Sequence, residues 1–426
     1  MRWAGLTKYL RPLGWKCWII TAAPTTPAAN GSGTVVVSCP PRTTLNDRYR
    51  RFRLRSGAAR TAIAAPLADA SDSNGGGGLL AQLRLEAAML LGLPDQGRGW
   101  VLQAAARARK LIRQMKPDVV VSTGPPHSAH VVAWLATRGL PTRRLVDLRD
   151  PWAGPITGAW RHHLLSRSHL SRWLSGWLER LVVSKASGVL CNTREFAAAM
   201  RSRYPGVVVD WLPNGVDSDL LPRAAEPLAG LGLVYVGTMY RGRDLRPVLR
   251  ALRVFLDRHP EQAADGPALR IAGALDDPVS RDAFRHEVAA LGLKDQVAEL
   301  GVLRRAEALQ LAARARLALV PAQEQELQVP AKLYELVAIG IPTLVIADPE
   351  SATSSEARRI GATAVEPADC VGMVQIMENA CLGSVTRPAR PGVSVDYREV
   401  ALGLGPILTP VGSDGADADR SGNRCP

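Results

Sequence analysis

Residues 329–346, which read VPAKLYELVAIGIPTLVI, decide the fold class. The first part of this stretch predicts a helix, and residues 342–346 predict a buried strand directly after it. Lys332 and Glu335 are three residues apart on the helix, so their side chains share one face. Because apolar runs alternate with amphipathic helices along most of the chain, the sequence predicts a parallel α/β protein.

Two such series are separated by a polar, Pro-containing stretch that runs from residue 211 to residue 230. The apolar runs that predict strands lie at residues 16–21, 34–37, 118–122, 145–148, 188–191, 233–236, 269–272, 317–320 and 342–346. A long helix is predicted over residues 101–115. The residues expected on its apolar face are Leu102, Ala106, Leu111 and Met115. The expected fold is therefore two Rossmann-like halves joined near residue 213.

Composition sets broad limits on what the chain is. Its 426 residues favour two domains over one. A hydrophobic content of 46% and a charged content of 22% exclude disorder, collagen and coiled coil as overall descriptions. The six cysteines show no zinc-ligand spacing and are too sparse for a disulfide framework. The net charge of +14 favours an anionic partner without identifying it. Since no apolar run could span a bilayer or act as a secretory signal, we expect a soluble cytoplasmic protein.

Four stretches, taken in order, carry a resemblance to a known family. They are residues 116–127 with 146–152, residues 212–217, residues 236–244, and residues 329–342. In these stretches the chain resembles the family 4 glycosyltransferases of the GT-B fold, in the branch that makes polysaccharides and glycolipids. The resemblance implies sugar transfer, with retention of configuration, from a nucleotide-diphosphate sugar to a lipid-linked or polysaccharide acceptor. It also implies that the reaction needs no metal and no cofactor.

The resemblance further implies a division of the chain. Residues 1–213 would form an acceptor-binding Rossmann-like domain, and residues 214–391 a domain that binds the nucleotide sugar. Residues 392–409 would form a helix that packs back on the first domain, and residues 410–426 a disordered tail. Residues 2–13 already resemble the family's first helix, so the family's first strand and Gly-rich loop are expected to be missing. The residues expected to form the hinge are Asn214 and Asp217.

A donor site is expected where a strand ends at Gly237 and a helix begins near Asp244. Free backbone N–H groups at a helix start favour phosphate, and such sites lie beyond the carboxyl ends of parallel strands. Arg241 and Arg243 lie in the same loop and would stabilise charge on the leaving diphosphate, as would Lys332.

Glu335 matches the glutamate that binds ribose in the resembled family. The family's other glutamate lies eight residues earlier, where this chain has Leu327. Glu324 and Glu326 lie nearby, and either is an alternative after a shift of register. We keep Glu326 among the donor-binding candidates.

The candidate catalytic residues are Asp150, Arg149 and His127. Arg149 and Asp150 follow the strand at residues 145–148, and Asp150 would orient or deprotonate the acceptor hydroxyl. The alternative is that Asp150 only forms a turn before Pro151. His127 is expected on the acceptor side of the cleft. It is not expected to bind a metal, because no carboxylate cluster accompanies it.

A stretch rich in tryptophan and arginine bears on the partners of the chain. It contains Trp160, Trp173 and Trp177, flanked by Arg161, Arg167, Arg172 and Arg180. One interpretation is a peripheral contact with an anionic membrane at its inner face. The other is a core-facing helix with snorkelling arginines. Two alternatives to a transferase stay open: a non-hydrolysing nucleotide-sugar epimerase, and a non-catalytic basic protein that binds nucleic acid or membrane. A transferase of this kind is expected to bind no nucleic acid.

Overall fold

A computed structural model describes residues 2–23, 34–42, 93–153, 169–239, 242–263, 266–275, 277–383 and 395–409. In these ranges parallel strands alternate with α-helices, which confirms the predicted α/β class. Short 3-10 helices lie at Arg11–Leu13, Gln96–Trp100, Ser218–Leu220, Pro260–Ala263 and Lys294–Gln296. None of the helices in the described part of the chain is long and apolar enough to cross a bilayer.

The N-terminal half contains two parallel sheets. One pairs β1 (Trp18–Thr21) with β2 (Val35–Ser38). The other has four strands in the order β3-β4-β5-β6, which are β3 (Val119–Gly124), β4 (Arg143–Leu148), β5 (Gly188–Cys191) and β6 (Val209–Trp211). The helices of this half are α1 (Arg2–Leu10), α2 (Val101–Met115), α3 (Ser128–Thr137), α4 (His169–Val183) and α5 (Arg194–Arg203). Ile20 of β1 and Val120 of β3 pack into one apolar cluster with α2, so the two sheets share part of their core.

The helix α2 has the predicted bounds, but its predicted apolar face is wrong. Leu102 is 79% exposed and Met115 is 45% exposed. The buried residues of α2 are Val101, Ala104, Ala105, Ala108 and Ile112. Small alanine side chains allow α2 to pack closely against its neighbours, whereas a search for large apolar residues selects the opposite face.

Burial along α4 tests the interpretation that its tryptophans face the core. Trp173 is 64% exposed and Trp177 is 50% exposed, so a core-facing helix is the wrong interpretation for these two side chains. Trp160, Arg161 and Arg167 lie outside the described residues.

The C-terminal half is built on one six-stranded parallel sheet with the order β12-β11-β10-β7-β8-β9. Its strands are β7 (Leu233–Val236), β8 (Leu269–Ala272), β9 (Val297–Gly301), β10 (Leu317–Pro321), β11 (Thr343–Ile346) and β12 (Thr363–Val365). Its helices are α6 (Arg246–Arg258), α7 (Pro278–Ala290), α8 (Arg305–Ala313), α9 (Ala331–Ile339), α10 (Ala352–Ile360) and α11 (Cys370–Cys381). The sheet grows from β7 outward to β9 and then from β10 outward to β12, so the strand order reverses between β7 and β10. Ligands of open α/β sheets bind at such a reversal.

Strand β7 shows why the central strands are continuous apolar runs. Leu233 and Tyr235 enter one core cluster, whereas Val234 and Val236 enter the cluster on the other face of the sheet. A strand covered by helices on both faces needs apolar side chains at every position. These strands can therefore be recognised in the sequence because apolar residues occupy every position instead of alternating with polar ones.

The last described helix, α12 (Tyr397–Leu408), packs on the N-terminal half. Leu404 and Leu408 of α12 share an apolar cluster with Leu6 and Leu10 of α1 and with Leu145 of β4. The chain thus returns to the half in which it began. The tail expected at residues 410–426 lies outside the described residues.

Candidate functional site

The loops that follow β7 and β8 approach each other closely at the carboxyl edge of the sheet. Gly237 follows β7 and has a φ of 149°, and Gly273 follows β8 and has a φ of 155°. A Cβ atom on Gly273 would lie 1.8 Å from the carbonyl oxygen of Gly237. Since no side chain fits between them, glycine is needed for the close approach of these two backbones.

The loop after β7 is joined to the loop after β10 by one side chain. The Gln323 amide nitrogen donates to the carbonyl oxygen of Asp244 at 2.7 Å, and the Gln323 amide oxygen accepts from the Asp244 backbone N–H at 3.1 Å. A cavity of about 240 Å³ lies beside this bridge and is lined by residues that include Arg243, Asp244, Phe284, Gln323 and Glu324. The expected donor loop therefore borders a cavity.

Of the two arginines in the loop after β7, the structure describes Arg243. A guanidinium N–H of Arg243 donates to the carbonyl oxygen of Thr238 at 3.4 Å, and its side chain lines the cavity. Arg241 lies outside the described residues, so its role stays a prediction.

The two glutamates considered as alternatives to Leu327 differ in position. Glu326 is exposed and its backbone carbonyl accepts from the Ala352 N–H, whereas Glu324 lines the cavity. Of the two glutamates weighed from the sequence, Glu324 is therefore the one placed at the cavity.

A second cavity, of about 230 Å³, lies at the carboxyl ends of β8 and β9. Residues that line it include Gly273, Leu275, Arg281, Arg285 and Val302. The first cavity borders the loop that follows β7 and the second borders the loop that follows β8, so both lie at the carboxyl edge of the sheet.

Lys332 and Glu335 lie at the start of α9, directly after the loop that follows β10. The Lys332 ammonium is 2.7 Å from Glu335 Oε2, and the Arg305 guanidinium is 2.5 Å from Glu335 Oε1. Glu335 is only 7% exposed, while both cations reach solvent. Sequence spacing indicated the Lys332 contact, but Arg305 begins a different helix and no local signal pointed to it. Because Glu335 compensates one of the two cations, the group keeps a single net positive charge near the N-terminus of α9, which favours an anion.

Across the cleft, Asp150 contacts the C-terminal half. The Gln328 amide nitrogen donates to Asp150 Oδ1 at 2.7 Å. The Thr193 hydroxyl donates to the carbonyl oxygen of Leu327 at 2.8 Å, so the position expected for the family's other glutamate lies at the contact between the halves. Arg149 donates to the carbonyl oxygens of Gly124 and Pro125. Its side chain therefore braces the end of β3.

His127 stacks on the Trp152 ring, with 5.1 Å between the ring centroids. His130 is fully buried behind it, and its Nδ1 lies 2.9 Å from the Ser122 hydroxyl. Burial and the neighbouring positive charge hold the pKa of His130 well below its usual range, so this imidazole is neutral. His127 thus lies against Trp152, which follows Asp150 by two residues, in the half expected to bind the acceptor. Within the described residues, no three His, Cys, Asp or Glu side chains group as metal ligands do.

The two residues expected at the hinge are tied to α1. The Arg2 guanidinium donates to Asn214 Oδ1 at 2.6 Å. Asp217 accepts from the Lys8 ammonium at 2.9 Å and from the Tyr9 hydroxyl at 2.8 Å. The junction of the two halves is therefore anchored on the first helix, and rotation about it stays a prediction.

The free energy of unfolding of the protein is expected to depend on pH through Asp150. Burial raises the pKa of Asp150, so ionising this carboxyl costs more in the folded protein than in the unfolded chain. The cost is absent below the ordinary aspartate pKa of about 3.9 and grows as the pH rises above it. We therefore expect Asp150→Asn to gain stability relative to the wild type between acidic and neutral pH, as followed by thermal unfolding.

Asp118→Asn is the matched control, because Asp118 is exposed just before β3. Its stability relative to the wild type should stay constant over the same pH range. A constant difference for Asp150→Asn as well would show that the Asp150 carboxyl is solvated.

Comparison with known proteins relates part of the chain to a known family. Residues 73–220, about a third of the chain, match the family model described as Glycosyltransferase Family 4. This segment of the chain is similar to the family 4 glycosyltransferases. Because the matched family consists of transferases, the match favours a transferase over the epimerase and the non-catalytic binding protein. A search of the curated proteins finds no significant match.

Solved structures that resemble the chain show the GT-B fold. Sucrose-phosphate synthase from Thermosynechococcus elongatus is 14% identical, with a TM-score of 0.58 over 94% of this chain and 90% of that one. A glycosyltransferase from Rickettsia africae ESF-5 is 12% identical, with a TM-score of 0.52 over 95% and 92%. Anabaena HepE, in complex with UDP and glucose, is 14% identical, with a TM-score of 0.52 over 94% and 90%. Two Rossmann-like halves facing a cleft are thus the architecture of this chain.

Proposed function

We propose that this glycosyltransferase moves a sugar from a nucleotide-diphosphate sugar to a lipid-linked or polysaccharide acceptor. The observation that carries the proposal is the group formed by Lys332, Arg305 and Glu335 beside the reversal of strand order. Cationic side chains and a helix N-terminus would bind the diphosphate, while a carboxylate held in place between them would accept hydrogen bonds from ribose hydroxyls.

The donor would lie along the carboxyl edge of the six-stranded sheet. Its diphosphate would meet Lys332 and Arg243, and its base would enter the cavity at the ends of β8 and β9. As the glycosidic bond to the diphosphate breaks, negative charge grows on the leaving phosphate oxygen. Fixed cations at that oxygen stabilise the charge more in the transition state than in the ground state, which accelerates the reaction. A uridine nucleotide is the first donor to try, because HepE binds UDP.

The acceptor would enter from the N-terminal half. Asp150, already in contact with the donor half through Gln328, would accept a hydrogen bond or a proton from the attacking hydroxyl. The transfer would retain the anomeric configuration and use neither a metal nor a cofactor. The proposal places the enzyme in the cytoplasm, in peripheral contact with the inner face of an anionic membrane.

A panel of UDP-, GDP-, ADP- and dTDP-sugars tests the donor site by thermal shift. A ligand at a hundred times its dissociation constant stabilises the folded state by about 2.7 kcal/mol, which moves the melting temperature by a few degrees. We expect one nucleotide series, the UDP-sugars first, to raise the melting temperature of the wild type. Lys332→Ala should lose most of this shift.

Lys294→Ala serves as the control, because Lys294 is an exposed lysine of the same half that lies away from both cavities. It should respond to the panel like the wild type. If no nucleotide sugar stabilised the wild type, or if Lys332→Ala responded fully, the proposed donor site would be wrong.

A further inference from the structure

The two faces of α4 differ in an unusual way. Its inner face is buried in the N-terminal half, with Ser171, Ser175 and Val182 at no more than 1% exposure. Its outer face carries Leu170, Trp173 and Trp177, which are 43%, 64% and 50% exposed. Since these residues are spaced by three and four positions, they form one stripe along the helix. We call this set the Trp stripe. Large aromatic side chains at such exposure mark a contact surface rather than an ordinary solvent face.

The charges of α4 are divided in the same way. Its two arginines, Arg172 and Arg180, are both exposed beside the Trp stripe. Its acidic residue, Glu179, is 1% exposed and turned inward, where it pairs with Arg203 at 3.1 Å and accepts from the Tyr204 hydroxyl at 2.7 Å. The outer surface of the helix is therefore apolar and positive, with no exposed acid among its described side chains.

We propose that the Trp stripe docks α4 on an anionic lipid bilayer, with the helix lying in the plane of the headgroups. Indole rings favour the boundary between headgroups and acyl chains, because their body is apolar and their N–H is polar. Arginines beside them would meet lipid phosphates. A helix with these two features binds an anionic surface without spanning the membrane. The net charge of +14 adds a long-range attraction to the same surface.

A second copy of the chain is a poorer occupant of the Trp stripe. In a two-fold dimer the same patch meets itself, so Arg172 and Arg180 would face the same arginines of the other copy. No exposed acid on α4 would compensate for that repulsion. An anionic bilayer, by contrast, complements both the charge and the apolar character of the patch.

The position of α4 relates the docked surface to the cleft. The helix connects the parallel strands β4 and β5, so it runs back from the carboxyl edge of the sheet. Its first residues, with Leu170 and Trp173, therefore lie at the edge where Asp150 follows β4. A bilayer held there would present a lipid-linked acceptor near the cleft. In this respect the inference rests on the proposed function, whereas binding of the bilayer itself does not.

Co-sedimentation with lipid vesicles tests the proposal. The full chain is mixed with vesicles of phosphatidylglycerol and phosphatidylcholine in equal amounts, and separately with phosphatidylcholine alone. We expect binding to the anionic vesicles that weakens at high salt. In Trp173→Ser combined with Trp177→Ser, the partition coefficient should fall by at least about tenfold. Arg172→Gln combined with Arg180→Gln should lower binding to the anionic vesicles only.

Matched controls use equally exposed residues of the C-terminal half. Val279→Ser with Val371→Ser removes two apolar side chains that are 68% and 74% exposed, and Arg258→Gln with Arg304→Gln removes two exposed charges. Both should bind vesicles like the wild type. Failure of the wild type to bind, or full binding by the tryptophan variant, would overturn the proposal. So would a dimer in sedimentation velocity that the tryptophan variant converts to monomer.

Nucleotide binding, measured on the same variants by calorimetry, separates this inference from the donor site. Loss of vesicle binding with unchanged nucleotide affinity supports the docking surface. Vesicle binding that persists in a protein without nucleotide affinity would support the docking surface and reject the proposed donor.

Discussion

Glu335→Ala is expected to lower the affinity for the nucleotide sugar by at least about a hundredfold, or about 2.7 kcal/mol. In the proposed complex, the carboxylate accepts hydrogen bonds from two ribose hydroxyls, and bonds to a charged group contribute about 1.5–3 kcal/mol each. The side chain also holds Lys332 and Arg305 on its two oxygens. Without it the two cations repel each other and lose the geometry needed for the diphosphate. Titration calorimetry with the best nucleotide from the thermal-shift panel measures the loss.

Glu335→Gln separates charge from shape in this experiment. Glutamine keeps one hydrogen-bond acceptor but no charge, so its affinity should lie between those of the wild type and the alanine variant. Glu287→Ala is the control, because Glu287 forms a surface ion pair with Arg250 elsewhere in the same half. Unchanged affinity in a folded Glu335→Ala protein would place the ribose somewhere else.

The sequence predicted this part of the site because the relation between Lys332 and Glu335 is local. Two residues three apart on a helix must share a face, whatever the rest of the chain does. The strands were recognisable for a similar reason, since residues such as Leu233 to Val236 are apolar at every position and sit between two layers of helices. Local pattern was therefore sufficient for the fold class and for the helix that carries the cation and the carboxylate.

The contacts that the sequence could not give are all between distant parts of the chain. Arg305 reaches Glu335 from another helix, and Gln328 reaches Asp150 from the opposite half. These pairs depend on the relative placement of elements, which periodicity does not encode. The buried face of α2 was predicted wrongly for a different reason. Close helix packing there uses alanine, and a pattern of large apolar residues does not detect it.

The contact between α1 and the rest of the N-terminal half also joins distant parts of the chain. Substitutions at this contact are expected to cause the largest loss of stability. Asp147 of β4 is fully buried. It accepts from the Trp3 indole N–H and from the Thr123 hydroxyl, both at 2.7 Å, and it lies 3.6 Å from the Arg2 guanidinium. Arg2 is itself 4% exposed and donates to the carbonyl oxygen of Leu212 at 2.7 Å. The pair thus joins the first helix, the sheet and the junction of the two halves.

Asp147→Ala should destabilise the N-terminal half by about 3–5 kcal/mol, because it leaves the buried charge of Arg2 without its carboxylate. Asp147→Asn should cost less, since an amide oxygen still accepts from Trp3 or Thr123. The free energy of unfolding is measured by urea denaturation, followed by the fluorescence of the tryptophans. Asp219→Ala, which removes an exposed partner of Lys8, should leave the transition unchanged.

A double-mutant cycle tests whether the cost arises from the unpaired charge. Arg2→Met should also destabilise the protein, because it leaves Asp147 buried without its cation. Combining Arg2→Met with Asp147→Ala removes both charges, so the double variant should be more stable than the sum of the two single losses predicts. Strict additivity would mean that the two side chains act independently. A coupling of at least about 1 kcal/mol would instead show that a buried ion pair anchors the first helix of the chain at the junction between its two halves.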